Sequence, residues 1–148
     1  MSNSILIALN DSVASRSALN FFVRMALCPD DCEITLLHIL RKPTATEELM
    51  GKKFTAEQPA RFAALLEKAK DKLVEAGYHP KRIETLLVTD PYPTVSEAII
   101  DQCRKRHFDM VIIGRKRMTK AEEFVMGDVS VKLLREMDKM AILVVRSD

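Results

Sequence analysis

Five short apolar runs alternate along the chain with segments whose apolar residues recur at helical spacing. Each run is rich in Val, Ile and Leu and is bounded by polar or turn-forming residues, which is typical of buried β-strands. The runs are Ser4–Leu9, Glu33–Leu40, Arg82–Val88, Asp109–Ile113 and Ala141–Val145. The second run is almost continuously apolar, which indicates a strand covered on both faces, as in a parallel sheet between helices.

Four helices are predicted between and beside these runs. The first begins at Ser12, whose side chain suits a helix cap, and the second has Pro59 in its first turn and ends at Gly77. The third begins at Thr94, which has a glutamate three residues later in capping-box spacing. The fourth begins beside Gly127.

The regular alternation of strands and helices predicts the fold class. Strands joined by crossover helices form a parallel sheet with right-handed connections, so we expect an α/β fold with five parallel strands and four helices on both faces. Nothing divides the chain, and residues 1–148 are expected to form one domain.

One connection is longer and more polar than the others. Residues 41–58 contain Pro43, Gly51 and several Thr and Lys residues, and they follow the second predicted strand. This composition predicts a loop or a mobile flap at the carboxyl edge of the sheet. Such a segment is also a candidate docking site for a protein client.

Composition narrows the classes of function. The chain has 148 residues, of which 23 are basic and 21 acidic, giving a net charge of +2. This balance argues against binding to nucleic acid or to an anionic membrane. No apolar run is long enough to span a bilayer and the first residues do not resemble a signal peptide, so we expect a cytoplasmic protein without membrane insertion.

The three cysteines do not form a disulfide pattern. Cys28, Cys32 and Cys103 are odd in number and irregularly spaced, so reduced thiols are expected. A metal site made by the first two with His38 is conceivable, but there is no second pair of ligands. We therefore predict no metal site and interpret these residues as loop and core thiols.

The stretch Asp109–Val145 is the candidate for ligand binding. It joins a strand to Gly114, a twelve-residue basic loop, Gly127 and a last strand. Glycines at the carboxyl edge of a parallel sheet, followed by the start of a helix, are typical of sites that bind phosphate groups.

Several segments together resemble the universal stress protein family. They are Ile5–Ser12, Leu36–Ile39, Asp109–Gly114, Gly127–Ser130 and Ile142–Val145. The resemblance implies the strand order 3-2-1-4-5 and a homodimer that pairs the last strands. An apolar edge strand independently favours such pairing, and its residues are Ala141, Ile142, Leu143, Val144 and Val145.

Family members that bind ATP share a Gly-x-x-Gly pattern, nine further residues, and then Gly with Ser or Thr. Gly114 and Gly127 match the first and third glycines, whereas Arg117 replaces the second glycine and Asp128 the Ser or Thr. The aspartate expected after the first strand is Asn10, and the glycine expected after it is Asp11. The resemblance also makes candidate nucleotide contacts of Ser12, Ile39, Arg115 and Ser130.

Each departure weakens an ATP site in a definable way. Arg117 places a side chain where bare backbone N–H groups should approach the phosphates. The carboxylate of Asp128 lies at or beside a helix start, where it competes with a phosphate for the same N–H groups. Asn10 retains hydrogen-bonding groups but lacks the negative charge.

These observations predict a homodimeric, non-enzymatic regulatory protein of the stress response, without a cofactor and without tight ATP binding. The His, Ser, Cys and Asp residues of the sequence do not form a recognisable catalytic set. At most a slow ATPase activity is therefore expected. One alternative is a sensor that binds ATP with Mg²⁺, or AMP, through Gly114, Arg115–Arg117 and the helix start at Gly127. Another alternative is a docking subunit of a transporter or kinase.

Overall fold

The structure is a computed structural model that describes residues 2–41, 45–117, 120–121 and 129–147, apart from the side chain of Glu47. Five parallel strands form one sheet in the order β3-β2-β1-β4-β5. They are β1 (Asn3–Ala8), β2 (Cys32–Ile39), β3 (Ile83–Val88), β4 (Met110–Lys116) and β5 (Ala141–Ser147). The expected sheet and its strand order are confirmed.

Helices cover both faces of this sheet. They are α1 (Val13–Arg24), a short α2 (Ala45–Leu49), α3 (Lys52–Glu75), α4 (Val95–Lys105) and α5 (Val129–Glu136). Alternate residues of each strand point to opposite faces. Ile5 and Ile7 therefore pack in one apolar core with α1 and α3, while Leu6 packs in a second core with α4 and α5. The prediction of helices on both faces is confirmed.

The order of the strands creates a crevice between β1 and β4. The chain proceeds from β1 to β2 and β3 in one direction across the sheet, and from β4 to β5 in the other. Segments leaving the carboxyl ends of β1 and β4 therefore diverge, and ligands of open α/β sheets bind at such a point. The fold therefore makes this crevice the expected position of a ligand site.

The expectation of a loop or flap over residues 41–58 is wrong for most of that segment. Helix α2 occupies part of it, and α3 begins at Lys52, seven residues before Pro59. Pro59 therefore lies inside a helix, where it cannot donate to the carbonyl group of Thr55. The surrounding Lys, Ala, Glu and Gln residues favour helix strongly enough to continue through the proline. Residues 42–44 of the segment lie outside the described residues.

The end of α3 agrees with the prediction made from Gly77. The N–H of Gly77 donates to the carbonyl of Val74 at 3.0 Å, and the N–H of Tyr78 donates to that of Leu73 at 3.1 Å. This pair of bonds is the Schellman arrangement, which needs the left-handed backbone that Gly77 adopts at φ 105°. Tyr78 then stacks on Phe22 of α1 with ring centroids 5.4 Å apart, which joins the two helices.

Strand β4 is longer than the apolar pattern indicates. It continues beyond Ile113 to Lys116 because β5 also continues, and Lys116 pairs with Ser147. Gly114 and Arg115 therefore lie within the strand, and the prediction that Gly114 opens the basic loop is wrong. The chain leaves the sheet at Arg117.

Candidate functional site

The turn between β1 and α1 is held by a compact set of hydrogen bonds. The side-chain oxygen of Asn10 accepts from the backbone N–H of Ser12 at 2.9 Å and from the hydroxyl of Ser15 at 2.8 Å. The backbone N–H of Asn10 donates to the same hydroxyl at 3.0 Å. Ser12 caps α1 by accepting from the N–H of Ser15 at 3.1 Å, as predicted. Asn10 and Ser12 are therefore both bonded within the turn.

Sequence reasoning missed Ser15, which is buried and participates in three of these bonds. Its position three residues after Ser12 could have indicated one of these bonds, because a capping side chain accepts from the N–H at that position. No local pattern indicated that its hydroxyl would bond to Asn10 after β1.

The side chain of Asp11 contacts a distant helix. A carboxylate oxygen lies 2.6 Å from a guanidinium nitrogen of Arg61 on α3, and both side chains are about half exposed, at 52% and 53%. The carbonyl of Asp11 accepts from Arg16 at 3.2 Å. Asp11 therefore joins the β1–α1 turn to α3.

His38 makes a second connection between the strands and α3. Its Nδ1 lies 2.7 Å from the carbonyl oxygen of Leu9, and because a carbonyl only accepts, Nδ1 carries the hydrogen. The imidazole is buried and stacks on Phe62 with ring centroids 3.9 Å apart and planes 9° apart. Burial lowers the pKa of His38 below its ordinary 6.5, although the bond to Leu9 opposes this shift.

Ile39 also ends β2, but its side chain does not face the crevice. It is buried in the core beneath α4 and pairs with Val88 of β3. Any contact of Ile39 with a ligand at this edge would come from its backbone.

Gly114 allows α1 to approach β4 closely. A Cβ atom added at this position would lie 2.2 Å from the carbonyl oxygen of Ala14 and 2.8 Å from the backbone nitrogen of Ser15. Real atoms cannot approach so closely, so only glycine fits without a shift of the backbone. This packing role accounts for Gly114 without reference to a phosphate.

Basic side chains lie at the ends of β4 and β5. Arg115 pairs in register with Arg146, and the alternation of strand residues places both on the face covered by α4 and α5. Arg117 follows β4 and is exposed, whereas Ser130 is buried in the first turn of α5. Gly127 and Asp128, which the sequence places before α5, lie outside the described residues.

The structure thus brings together Asn10, Asp11, Ser12 and Gly114 around the first turn of α1. Cys28 and Cys32 are not near this group. Cys32 begins β2 and His38 lies six residues further along the strand, about 20 Å away at the usual rise per residue. These three residues cannot share a metal ion.

The last strand is only partly covered by the rest of the chain. Leu143 and Val145 pack towards α1, and Ile142 and Val144 pack towards the opposite core, yet all four remain half-buried. An open groove of about 790 Å³ runs beside this strand, and Phe21 and Val23 of α1 form its other wall. Ala141 begins the strand and is exposed.

None of the helices that the structure describes has both the length and the apolar character needed to cross a membrane.

Several solved structures resemble this one. A universal stress protein family protein from Arabidopsis thaliana with AMP bound is 16% identical in sequence to this chain. The superposition covers 99% of this chain and 92% of that protein, with a TM-score of 0.70. A universal stress protein in complex with cAMP has 15% identity, covers 97% and 95%, and gives 0.66. A universal stress protein from Lactobacillus plantarum has 16% identity, covers 97% of each chain, and gives 0.65. At these identities the likeness establishes the fold.

Sequence comparison identifies the family more directly. No curated protein matches the chain significantly. The model of the universal stress protein family, in contrast, matches residues 1–146. With a five-stranded sheet in the order 3-2-1-4-5 and a match over almost its full length, the chain belongs to the universal stress protein family.

Proposed function

We propose that this protein is a cytoplasmic, homodimeric regulator of the stress response that does not bind ATP tightly. The observation that carries the proposal is the state of the polar groups beside the crevice. The side chains of Asn10 and Asp11 and the Nδ1 of His38 are all bonded to groups of the chain itself.

A nucleotide would have to replace some of these bonds. Hydrogen bonds of this kind contribute about 0.5–1.5 kcal/mol each, and a half-exposed ion pair about 0–1 kcal/mol. Because about 1.4 kcal/mol corresponds to a tenfold change in affinity, breaking the Asp11–Arg61 pair and one bond of Asn10 lowers affinity by roughly tenfold. Arg117 adds a side chain to a segment that in ATP-binding relatives presents bare backbone.

A second candidate is a sensor that binds AMP, or ATP with Mg²⁺, weakly. It is favoured by the register of Arg115 with Arg146, which concentrates two guanidinium groups at the ends of adjacent strands. Guanidinium groups bind phosphate through paired N–H donors. Similar folds carry AMP and cAMP, which agrees with adenine nucleotides as the ligand class. In this function the phosphates would lie between these arginines and the helix start after Gly127.

Titration calorimetry with ATP and Mg²⁺ distinguishes these candidates. For a regulator without tight ATP binding we expect a dissociation constant weaker than about 0.1 mM, or less than about 5.5 kcal/mol of binding free energy. Micromolar binding that disappears on Gly127→Trp would contradict the proposal and support the sensor. A thermal melt of the variant checks that the fold is retained.

The proposed dimer forms through β5. The backbone N–H of Ala141 bonds towards β4, so alternation along a parallel strand turns the N–H of Val144 outwards. An apolar edge strand with outward N–H groups is a template for pairing with a second copy.

Val144→Pro removes one outward donor without removing a bond to β4. We expect wild type to be a dimer and the variant to shift towards monomer in light scattering. The control is Val74→Ser, at an exposed position of α3. A proline is not used at this position because it would break the helix. A wild-type monomer at high concentration would refute the dimer.

A protein client is a third candidate, favoured by an exposed apolar pair. Leu49 and Met50, at the end of α2, are 88% and 61% exposed. A docking subunit of a transporter or kinase would present such side chains to its partner. This candidate is tested with a variant in which both residues are replaced by Ser. The proteins that this variant captures from cell lysate are compared with those captured by Val131→Ser, a change at another exposed apolar position.

A further inference from the structure

We propose that the amino-terminal part of α3 is a gate over the crevice, and that an adenine nucleotide binds only when this gate opens. The gate consists of residues 52–62 and is held by Arg61 and Phe62. The inference rests on the weak nucleotide sensor described above, and it adds the element that regulates access.

Two neighbouring residues of α3 reach the ends of two neighbouring strands. Arg61 pairs with Asp11, which follows β1, and Phe62 stacks on His38 near the end of β2. The imidazole is in turn bonded to the carbonyl of Leu9. These contacts place the helix across the β1 side of the crevice and occupy groups that a nucleoside would otherwise approach.

The two contacts are coupled. The guanidinium carbon of Arg61 lies 5.1 Å from the centroid of the Phe62 ring, within the range of a cation–π interaction. Movement of either side chain therefore disturbs the other. When the gate opens, the face of the His38 ring that Phe62 covers becomes a flat aromatic surface available to a purine base.

The remainder of α3 provides a fixed pivot. Its buried side chains are Leu66, Ala69 and Leu73, and none of the residues described before Leu66 in this helix is fully buried. Pro59 removes one backbone hydrogen bond from the amino-terminal part, and Gly51 precedes the helix with φ 99°. Segments with few buried contacts and incomplete hydrogen bonding open at low free energy.

The size of the effect follows from the exposure of the ion pair. A half-exposed pair shifts an equilibrium by at most about fivefold, and the apparent affinity rises in proportion to the open fraction. We expect Arg61→Ala to bind AMP about two- to fivefold more tightly than wild type. Arg104→Ala is the matched control, because it removes a comparably exposed ion pair, to Glu136 at 3.3 Å, away from the crevice.

Hydrogen exchange without nucleotide tests the gate separately from binding. The amides of residues 55–58, 60 and 61 should exchange about two- to fivefold faster in Arg61→Ala, and also faster in Asp11→Ala, whereas Arg104→Ala should match wild type. Unchanged exchange in both variants would overturn the gate, whatever binds. Faster exchange with no AMP binding to any variant would overturn the coupling to nucleotide, while leaving the proposed regulator without tight ATP binding intact. That regulator fails on different evidence, namely micromolar ATP binding by wild type.

Discussion

The segments that leave β1 and β4 lie at the same edge of the sheet but are constructed differently. The segment after β1 is held by polar side chains, since Asn10, Ser12 and Ser15 bond to one another and Asp11 pairs with α3. The end of β4 is positioned by the absence of a side chain at Gly114 and carries cations beyond it. The turn after β1 is thus held by polar bonds within the chain, whereas the end of β4 carries basic side chains and is held close to α1 by a glycine.

The residues at the motif positions have structural roles that do not require a ligand. Gly114 is retained, but its contact with the first turn of α1 is sufficient to require glycine. Asn10 and Asp11, which occupy positions where the family resemblance implies Asp and Gly, are both bonded within the chain. A glycine at a motif position can therefore be required for packing alone.

The largest effect is expected where the two segments meet. Gly114→Ala should lower the free energy of unfolding by about 3 kcal/mol or more, because its Cβ would overlap backbone atoms of Ala14 that cannot rotate away. Urea denaturation measures the change.

Gly77→Ala is the matched control for this variant. Its nearest neighbour is a side-chain atom of Pro29 at 4.0 Å, so only the positive φ is strained and a loss of about 1 kcal/mol is expected. Equal losses in the two variants would show that the close approach of α1 to β4 is not what requires glycine at position 114.

A smaller effect is expected from the polar side of the comparison. Ser15→Ala should destabilise the protein by about 1–2 kcal/mol, because Asn10 loses two partly buried hydrogen bonds to the hydroxyl of Ser15. Ser17→Ala, the same change two residues later on α1, should remain within about 0.5 kcal/mol. If the two variants are equally stable in thermal and urea melts, the bonds around Asn10 do not hold this turn.

The smallest effect concerns the pH dependence contributed by His38. Its folded-state pKa is lowered by burial, so on acidification the unfolded chain takes up a proton that the folded chain does not. The free energy of unfolding has its full value above the ordinary pKa of 6.5 and decreases as the pH falls through and below that value. The slope is at most about 1.4 kcal/mol per pH unit. The neighbouring charges are Asp11, which raises this pKa, and Arg41, which lowers it.

Urea melts at several pH values between about 7.5 and 5 measure this contribution. His38→Asn keeps a donor for the carbonyl of Leu9 but does not titrate, so its stability should depend less on pH than that of wild type. Ser17→Ala, which removes no titratable group, should retain the wild-type slope. A His38 variant with an unchanged slope would contradict the assignment.

The sequence by itself determined the features that depend on neighbouring residues. Apolar runs and helical spacing predicted the sheet and the helices that cover it, Ser12 predicted the cap of α1, and Gly77 predicted the end of α3. Such signals are local because a strand's alternation, a helix cap and a left-handed turn each involve residues only a few positions apart.

Local signals failed where a neighbour elsewhere in the chain overrides them. Pro59 is typical of a first helical turn, yet the helix formers before it start α3 at Lys52. Gly114 resembles the start of a loop, yet pairing with β5 extends β4 through it.

Only the tertiary structure decided which polar groups of the candidate site are bonded to distant parts of the chain. Asp11 and Arg61 are 50 residues apart, and His38 and Leu9 are 29 apart, so their contacts exist only after the sheet has aligned the strand ends and α3 has packed across them. The exclusion of any side chain at Gly114 likewise results from α1 lying against β4. A sequence specifies which groups are available for bonding, whereas packing between distant segments decides which of them remain available to a ligand.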